Sequence, residues 1–347
     1  MSVIKRRAQS VAKGLTAATK KEEENVNMDK VVSTGSTLLD LAISGKRRKG
    51  GGIPGGILVE IFGPSGWGKT SILGEICADA QSKGGNAEIG DAERRMTPEW
   101  IKYMGIHITN DNLKYPHSVA DLEELILNTP SSESGAIDVT GVDSTAALVS
   151  SLEEEKGDKR GGAKAKELHA LCRKVKGELA KKNRLVVFTN QIQDIQDAGP
   201  FMPKEKTGGG HAVPFYASLR MRIGPAGGKG SKITKTVKVG GNEVDRVIGV
   251  RSNVQVIKSS IDAPYREAEV CIIFDYGVDD IRANLEYIKK MTGQKVFWAV
   301  TEETNSLEAA IKIIEEGKLE EQLKEAVITM WEEIEDKFRT IRVPKGR

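Results

Sequence analysis

Residues Gly63-Pro-Ser-Gly-Trp-Gly-Lys69-Thr70 form a glycine loop of the pattern GxxxxGKT, and their setting decides the fold. In front lies the apolar run Ile57 to Phe62, which reads as a β-strand. Behind, Thr70 to Ala80 has the period of a helix. Glycines between a strand and a helix let successive backbone N–H groups turn inward and meet phosphate oxygens. At this spacing Lys69 neutralises the β- and γ-phosphates, and the Thr70 hydroxyl is suited to Mg²⁺. Gly63, Pro64, Ser65, Gly66, Trp67, Gly68, Lys69, Thr70 and Ser71 are therefore the candidate nucleotide cradle, with ATP and Mg²⁺ the expected cofactors.

Moving outward, strand and helix patterns alternate. Ala87 to Gly90 reads as a strand, Asp121 to Asn128 as a helix and Ala136 to Val142 as a strand running into Asp143. Between Ala165 and Asn183, the apolar residues Leu168, Leu171, Cys172, Val175 and Leu179 share one helical stripe, and Leu185 to Thr189 is a buried strand. This alternation predicts an α/β fold with a mostly parallel, twisted sheet flanked by helices. An acid closing a strand would place Asp143 beside Thr70 to complete a metal site. Glu93, just past another strand, is positioned to polarise a water.

After Phe215 the texture becomes β-rich, at Leu219 to Ile223, Val254 to Ile257 and Val270 to Phe274, with a flexible hairpin expected over the Gly- and Lys-rich stretch from Gly224 to Gly241. A small α/β unit is expected from Asn284, with a strand at Val296 to Val300 and one long charged helix from Leu307 to Arg339. The expected organisation is an N-terminal arm over 1–30, a core over 31–283 and a C-terminal domain over 284–347.

Composition narrows the class. The chain is 39% hydrophobic and 29% charged, with no apolar run near the length of a membrane span, which argues against membrane insertion. The basic N-terminus lacks the apolar stretch of a secretory signal, so a cytoplasmic protein is expected. Cys77, Cys172 and Cys271 lie far apart in apolar or helical contexts and read as reduced core residues. A formal charge of +3 is too small to imply nucleic-acid binding, but local clusters suit it. One is the basic, glycine-containing stretch with Lys159, Arg160, Lys164 and Lys166, which continues into a helix face carrying His169, Arg173 and Lys176. Another is Ile192 to His211, about twenty residues with two prolines, three successive glycines and no helix or strand pattern.

The order and wording of these pieces resemble the RecA family of bacterial and phage recombinases. The resemblance rests on Val32-Ser-Thr-Gly-Ser-Thr-Leu-Leu-Asp40, on Gly55-Gly-Ile-Leu-Val-Glu-Ile-Phe-Gly63 and the loop after it, then on Asp91-Ala-Glu93, Val142-Asp143-Ser144, Asn190-Gln191-Ile192, Thr207-Gly-Gly-Gly-His-Ala212 and Phe215-Tyr-Ala217, all in family order. It implies a P-loop ATPase core that forms helical filaments on single-stranded DNA and pairs it with a homologous duplex. It also implies Glu93 as general base, Gln191 as a sensor of the γ-phosphate, Trp100 and Phe274 on either side of the adenine, and Lys258 reaching a neighbour's ATP.

In this reading both loops face DNA, with Lys159, Arg160, Lys164, Lys166, His169 and Arg173 from the first and the helix after it, and Lys204, Lys206, Gly208, Gly209, Gly210 and His211 from the second. Three departures stand out. Ser260 occupies the position of a second family lysine, His211 that of an asparagine, and the end from Arg339 to Arg347 is basic where bacterial relatives are acidic. Rival readings on the same residues are a ring-forming helicase and an accessory DNA-binding protein that uses ATP only to assemble.

Overall fold

The structure, a computed structural model, describes residues 27–109, 112–151, 162–194, 205–208, 210–339 and 342. The principal strands are β1 (Leu58–Gly63), β2 (Ala87–Asp91), β3 (Leu113–Lys114), β4 (Asp138–Asp143), β5 (Arg184–Asp194), β6 (Leu219–Pro225), β7 (Lys232–Val239), β8 (Asn242–Ser259), β9 (Glu267–Ile273) and β10 (Gly277–Val278). The principal helices are α1 (Thr37–Ser44), α2 (Lys69–Ser82), α3 (Val119–Asn128), α4 (Gly162–Lys182), α5 (Asp280–Thr292), α6 (Leu307–Gly317) and α7 (Glu320–Lys337).

One large sheet runs in the order β10-β9-β8-β6-β1-β5-β4-β2-β3. From β6 to β3 every pairing is parallel, and from β6 to β10 every pairing is antiparallel. Side chains alternate across the central strands. Val59, Ile61, Leu185 and Val187 enter the apolar layer under α2, while Leu58, Val186 and Phe188 enter the layer under α3 and α4. A strand buried on both faces needs this unbroken apolar run, which is why Ile57 to Phe62 carries a single charge, Glu60. The helix stripe of Leu168, Leu171, Cys172, Val175 and Leu179 is buried as its spacing predicted.

The stretch Gly224 to Gly241 contains one strand of a β-ribbon, β7 on β8, whose register shifts by one residue between Ile233 and Thr234, then runs unbroken from Thr234 to Val239 and closes on Asn242 through Gly240 and Gly241. Both glycines have positive φ, 57° and 84°, the conformation that suits a two-residue turn to the strand twist. At the C-terminal end the single helix expected is two. Lys318 adopts φ 52° and stops α6, and α7 then starts at Glu320. The break lets Ala310 and Ile314 of α6 and Leu323, Val327 and Ile328 of α7 all join the larger apolar layer, where both helices meet α5. The strand expected over Val296 to Val300 is only Phe297–Trp298, paired with Glu303–Thr304. Helix α5 spans the expected 283/284 boundary, since Ala283, Leu285 and Ile288 all pack in that same layer. All three cysteines are buried and free, and burial pushes each thiol up to about 12. Among the described residues no helix is long and apolar enough to cross a membrane.

Helix α1 is buried along its whole length and carries Asp40, which accepts hydrogen bonds from Ser33 Oγ (2.5 Å), Thr34 N (2.8 Å) and Thr34 Oγ1 (2.8 Å). Burial outweighs these bonds and lifts the carboxyl from 3.8 to about 7. Between those values the folded chain holds a proton that the unfolded chain has lost. This group's contribution to stability therefore rises as pH falls from about 7 toward about 4. In urea unfolding compared across that window, Asp40→Asn is expected to flatten the pH dependence; an unchanged slope would assign it to other groups.

Candidate nucleotide site and its connection to the loops

The carboxyl ends of the parallel strands converge on one edge. In register, Gly63 of β1 lies opposite Gln191 of β5, and Asp91 of β2 lies opposite Asp143 of β4. Crevices at these strand ends are where open α/β sheets take ligands. Helix α2 begins there with Lys69. Its N-cap, Gly68, has φ 90° and no capping side chain, which leaves the first N–H groups of the helix free for an anion. Gly66 has φ 81°, a value that L side chains rarely adopt. A Cβ on Gly68 would sit 1.9 Å from Ile272 Cδ1.

The charged side chains are held by specific partners. Lys69 Nζ donates to the carbonyls of Gly63 (3.0 Å) and Pro64 (2.8 Å), and burial lowers its pKa against the opposing pull of Asp143 and Glu93. Thr70 Oγ1 donates to Asp143 Oδ2 at 2.7 Å, while Thr189 Oγ1 donates to Asp143 Oδ1. Burial raises Asp143 even so. Glu93 is engaged at both oxygens. Oε1 accepts from Ser144 Oγ (2.6 Å) and Gln191 Nε2 (2.9 Å), and Oε2 pairs with Arg95 Nη1 at 2.8 Å.

These groups surround a cleft of about 230 Å³. A second cleft of about 380 Å³ adjoins it and shares Ser71, Arg95, Ile272 and Phe274 as walls; Trp100 and Tyr103 line its far side. Gly74 makes room there, because a Cβ would lie 3.0 Å from the Trp100 ring. The pair of clefts has the form of a phosphate site continuing into an aromatic base site. The donor set also fits Mg²⁺. Thr70 and Asp143 offer two hard oxygens, and this ion is commonly held by one or two protein oxygens together with substrate phosphates. Among the described residues no cluster of three or more His, Cys, Asp or Glu could cage a metal alone.

Ser65, Gly66, Gly68, Lys69, Thr70, Ser71, Glu93, Asp143, Gln191 and Phe274 are thus brought together, and Trp100 joins Phe274 in the second cleft. Gly63 and Pro64 serve through their carbonyls. Trp67 turns away from the cleft; its ring packs on the core and its carbonyl accepts from Ser252 Oγ at 2.8 Å. Lys258 lines neither cleft, and its Nζ donates to the carbonyls of Pro214 (3.0 Å) and Phe215 (2.8 Å). Sequence reading missed Arg95, Ser144 and Thr189. Ser144 follows Asp143 and Arg95 follows Glu93 by two positions, but only the fold shows which carboxylate each one serves.

The base of the second loop is tied to this site. Strand β5 continues past Gln191 to Asp194 and pairs with Glu205–Thr207, so the segment from Ile192 onward is partly a β-ladder rather than an unpatterned loop. Extended pairing of alternate backbone groups overrides the weak β preference of Gln and Asp there. Gly208 N donates to the Gln191 carbonyl at 3.3 Å, and Asn190 Nδ2 bonds both the Gly208 carbonyl and Glu60 Oε1 at 3.0 Å. Lys166, His169 and Arg173 lie exposed on one face of α4, with His169 stacked 6.3 Å from Phe215. Lys164 donates to the Ala146 carbonyl at 2.9 Å. Gly210 and His211 are exposed at the start of the helical turn Ala212–Tyr216. Lys206 pairs with Gln193 through its backbone. Lys159, Arg160, Lys204 and Gly209 lie outside the described residues, as does the arm up to residue 26.

Gly68→Ala is expected to cost about 1–3 kcal/mol through its positive φ alone and to weaken nucleotide binding. An added Ile272→Val change should recover part of the binding by removing the clashing methyl, and none of the φ strain. Denaturation and nucleotide titration of the single and double variants check this; unaltered affinity in Gly68→Ala would show that the loop is looser than its geometry.

The RecA N-terminal domain family matches residues 3–279, ending one residue before α5 begins. The chain is 36% identical to protein RecA of Thermus thermophilus over 253 residues, which is 72% of this chain and 69% of that protein. It is 36% identical to protein RecA of Clostridium acetobutylicum over 262 residues (74% and 68%), and 34% identical to that of Colwellia psychrerythraea over 266 residues (76% and 71%). With the glycine loop, the two clefts and the strand order in place, the chain belongs to the RecA family of DNA-dependent ATPases, which act as recombinases in DNA repair and recombination.

Proposed function

We propose that this chain is an ATP-switched recombinase that polymerises as a helical filament on single-stranded DNA and pairs it with a homologous duplex in the cytoplasm. The observation that carries this is the short connection along β5. Gln191 holds Glu93 through its side chain and Gly208 through its carbonyl, so one residue touches both the hydrolytic centre and the root of the second loop. A change at either end alters the hydrogen bonds of the other, which is the physical requirement for coupling.

Lys69, now resting on two loop carbonyls, exchanges them for phosphate oxygens. Thr70 and Asp143 would hold Mg²⁺, which supplies charge neutralisation on the phosphates when bound. Glu93 accepts the proton of the attacking water as the water oxygen bonds to the γ-phosphorus. The bond from that phosphorus to the bridging oxygen breaks, leaving ADP and phosphate. Trp100 and Phe274 flank the adenine. Lys258 reaches a neighbouring subunit's nucleotide, and the arm over 1–30 docks on the next subunit.

Cationic contacts to DNA phosphates by Lys166, Arg173 and the two loops give affinity without sequence preference. A homology search needs that property, because base pairing then does the reading.

ATP hydrolysis with and without single-stranded DNA, with electron microscopy of the same samples, tests this reading. Wild type should show DNA-stimulated turnover and helical filaments, both lost or impaired in Lys69→Ala. Glu93→Gln should lower turnover about 10²–10⁴-fold while keeping DNA binding. Closed rings, or turnover indifferent to DNA, would favour a helicase or another ATPase on this fold. A separate titration checks the DNA face: Arg173→Ala should weaken binding across all sequences and reduce the salt slope by about 1.

A further inference from the structure

Arg95 is placed by its backbone and exposed at its tip, where the guanidinium pairs with Glu93. The buried carboxylate of Asp91 accepts the N–H of Arg95 at 3.2 Å and of Met96 at 2.8 Å, which pins the main chain beside the cleft. Its side chain is 67% exposed, while that of its partner Glu93 is 9% exposed. Among the described residues Lys69 and Arg95 are the two cations lining the clefts, and Arg95 alone of the two lines both. The guanidinium therefore stands at the border of the two clefts, held there against Glu93. It is near enough to Lys69 to oppose that residue's positive charge.

An ion pair with one partner this exposed is weak. A triphosphate brings several negative charges and planar oxygen pairs that match a guanidinium fork better than one carboxylate oxygen does. Resting on the reading of the cleft as an ATP-hydrolysing site, we propose that Arg95 is a two-position cation, bound to Glu93 when no triphosphate is present and to the phosphate chain when one is. The exchange has two consequences. It frees Glu93 Oε2 to receive the water's proton, while Ser144 and Gln191 keep Oε1 in place. It also sets a second cation against the phosphates within the same subunit. Because Arg95 approaches from the Glu93 and Gln191 side, it contacts the γ-phosphoryl, and the cleft distinguishes ATP from ADP.

The test uses the full chain as wild type, Arg95→Ala and Arg95→Lys, with Mg²⁺ present and DNA absent. Titrations with ADP and with a non-hydrolysable ATP analogue are read beside each variant's thermal midpoint. Arg95→Ala should weaken the analogue about tenfold, the loss of one charged hydrogen bond, and ADP less than about twofold. Arg95→Lys, which keeps the charge and loses the fork, should recover part of the analogue's binding. In steady-state hydrolysis Arg95→Ala should lower kcat as well as raise KM. Equal weakening of both nucleotides, unchanged binding of both, or faster hydrolysis in Arg95→Ala would each overturn the proposal, the last by reducing Arg95 to a restraint on Glu93. DNA-indifferent turnover in a wild type that still prefers the analogue through Arg95 would sink the recombinase reading and leave this one standing.

Discussion

Buried Glu60 sets the register on which the rest of the molecule depends. It is fully inaccessible in the middle of β1, and its two oxygens are taken by Arg220 Nε at 2.5 Å and Asn190 Nδ2 at 3.0 Å. These partners come from the strands on either side, where Glu60 faces Arg220 across β6 and Phe188 across β5. A slip of one residue would turn Glu60 into the apolar layer under α2 and strand it from both. An unpaired buried carboxylate costs several times what a single apolar contact returns, about 3–5 kcal/mol when a partner is lost, so this alignment is strongly selected. With β1 held in register, Gly63 falls opposite Gln191, and the glycine loop opens at the same edge as Glu93 and Asp143.

The same charge joins regions that would otherwise be independent. Arg220 also lies 4.6 Å over the Phe62 ring and is directly opposite Lys258 in the β6 and β8 register. Lys258 in turn holds the carbonyls of Pro214 and Phe215, next to the α4 face that carries His169. Asn190 links Glu60 to Gly208 at the root of the second loop. Nucleotide cleft, second loop and the surface around Phe215 are thus connected by short charged or buried hydrogen bonds, which are costly to leave half-made.

Within the cleft, the arrangement balances readiness against restraint. Lys69 is desolvated and rests on carbonyls that cannot neutralise it, and Asp143 is desolvated but bonded to two threonine hydroxyls. Each charge lacks a full counter-charge in its immediate shell, so a ligand carrying phosphates and a divalent cation improves both environments together. Glu93 differs, since Arg95, Ser144 and Gln191 already occupy its oxygens.

Much of this was legible from the residues themselves, where local chemistry suffices. The strand, glycine loop and helix around Lys69 need particular residues at adjacent positions, and the alternation of Leu58 to Ile61 and the stripe on α4 follow from periods of two and 3.6. The carboxylates Glu93 and Asp143 were readable because Asp143 closes a strand and Glu93 lies just past one. The tertiary structure alone decided what depends on distant parts of the chain meeting. Trp67 turned to the core and Trp100 to the cleft, though both are tryptophans near motif residues, because Ser252 and the apolar layer claim one and Gly74 makes room for the other. Arg95 found Glu93, and Lys258 found the Phe215 carbonyl, through packing that no local pattern encodes. The helix after Leu307 broke at Lys318 because both halves reach the core only if the chain bends. Sequence determines propensity over a few residues; which side chains share a cavity is settled by the closing of the whole sheet.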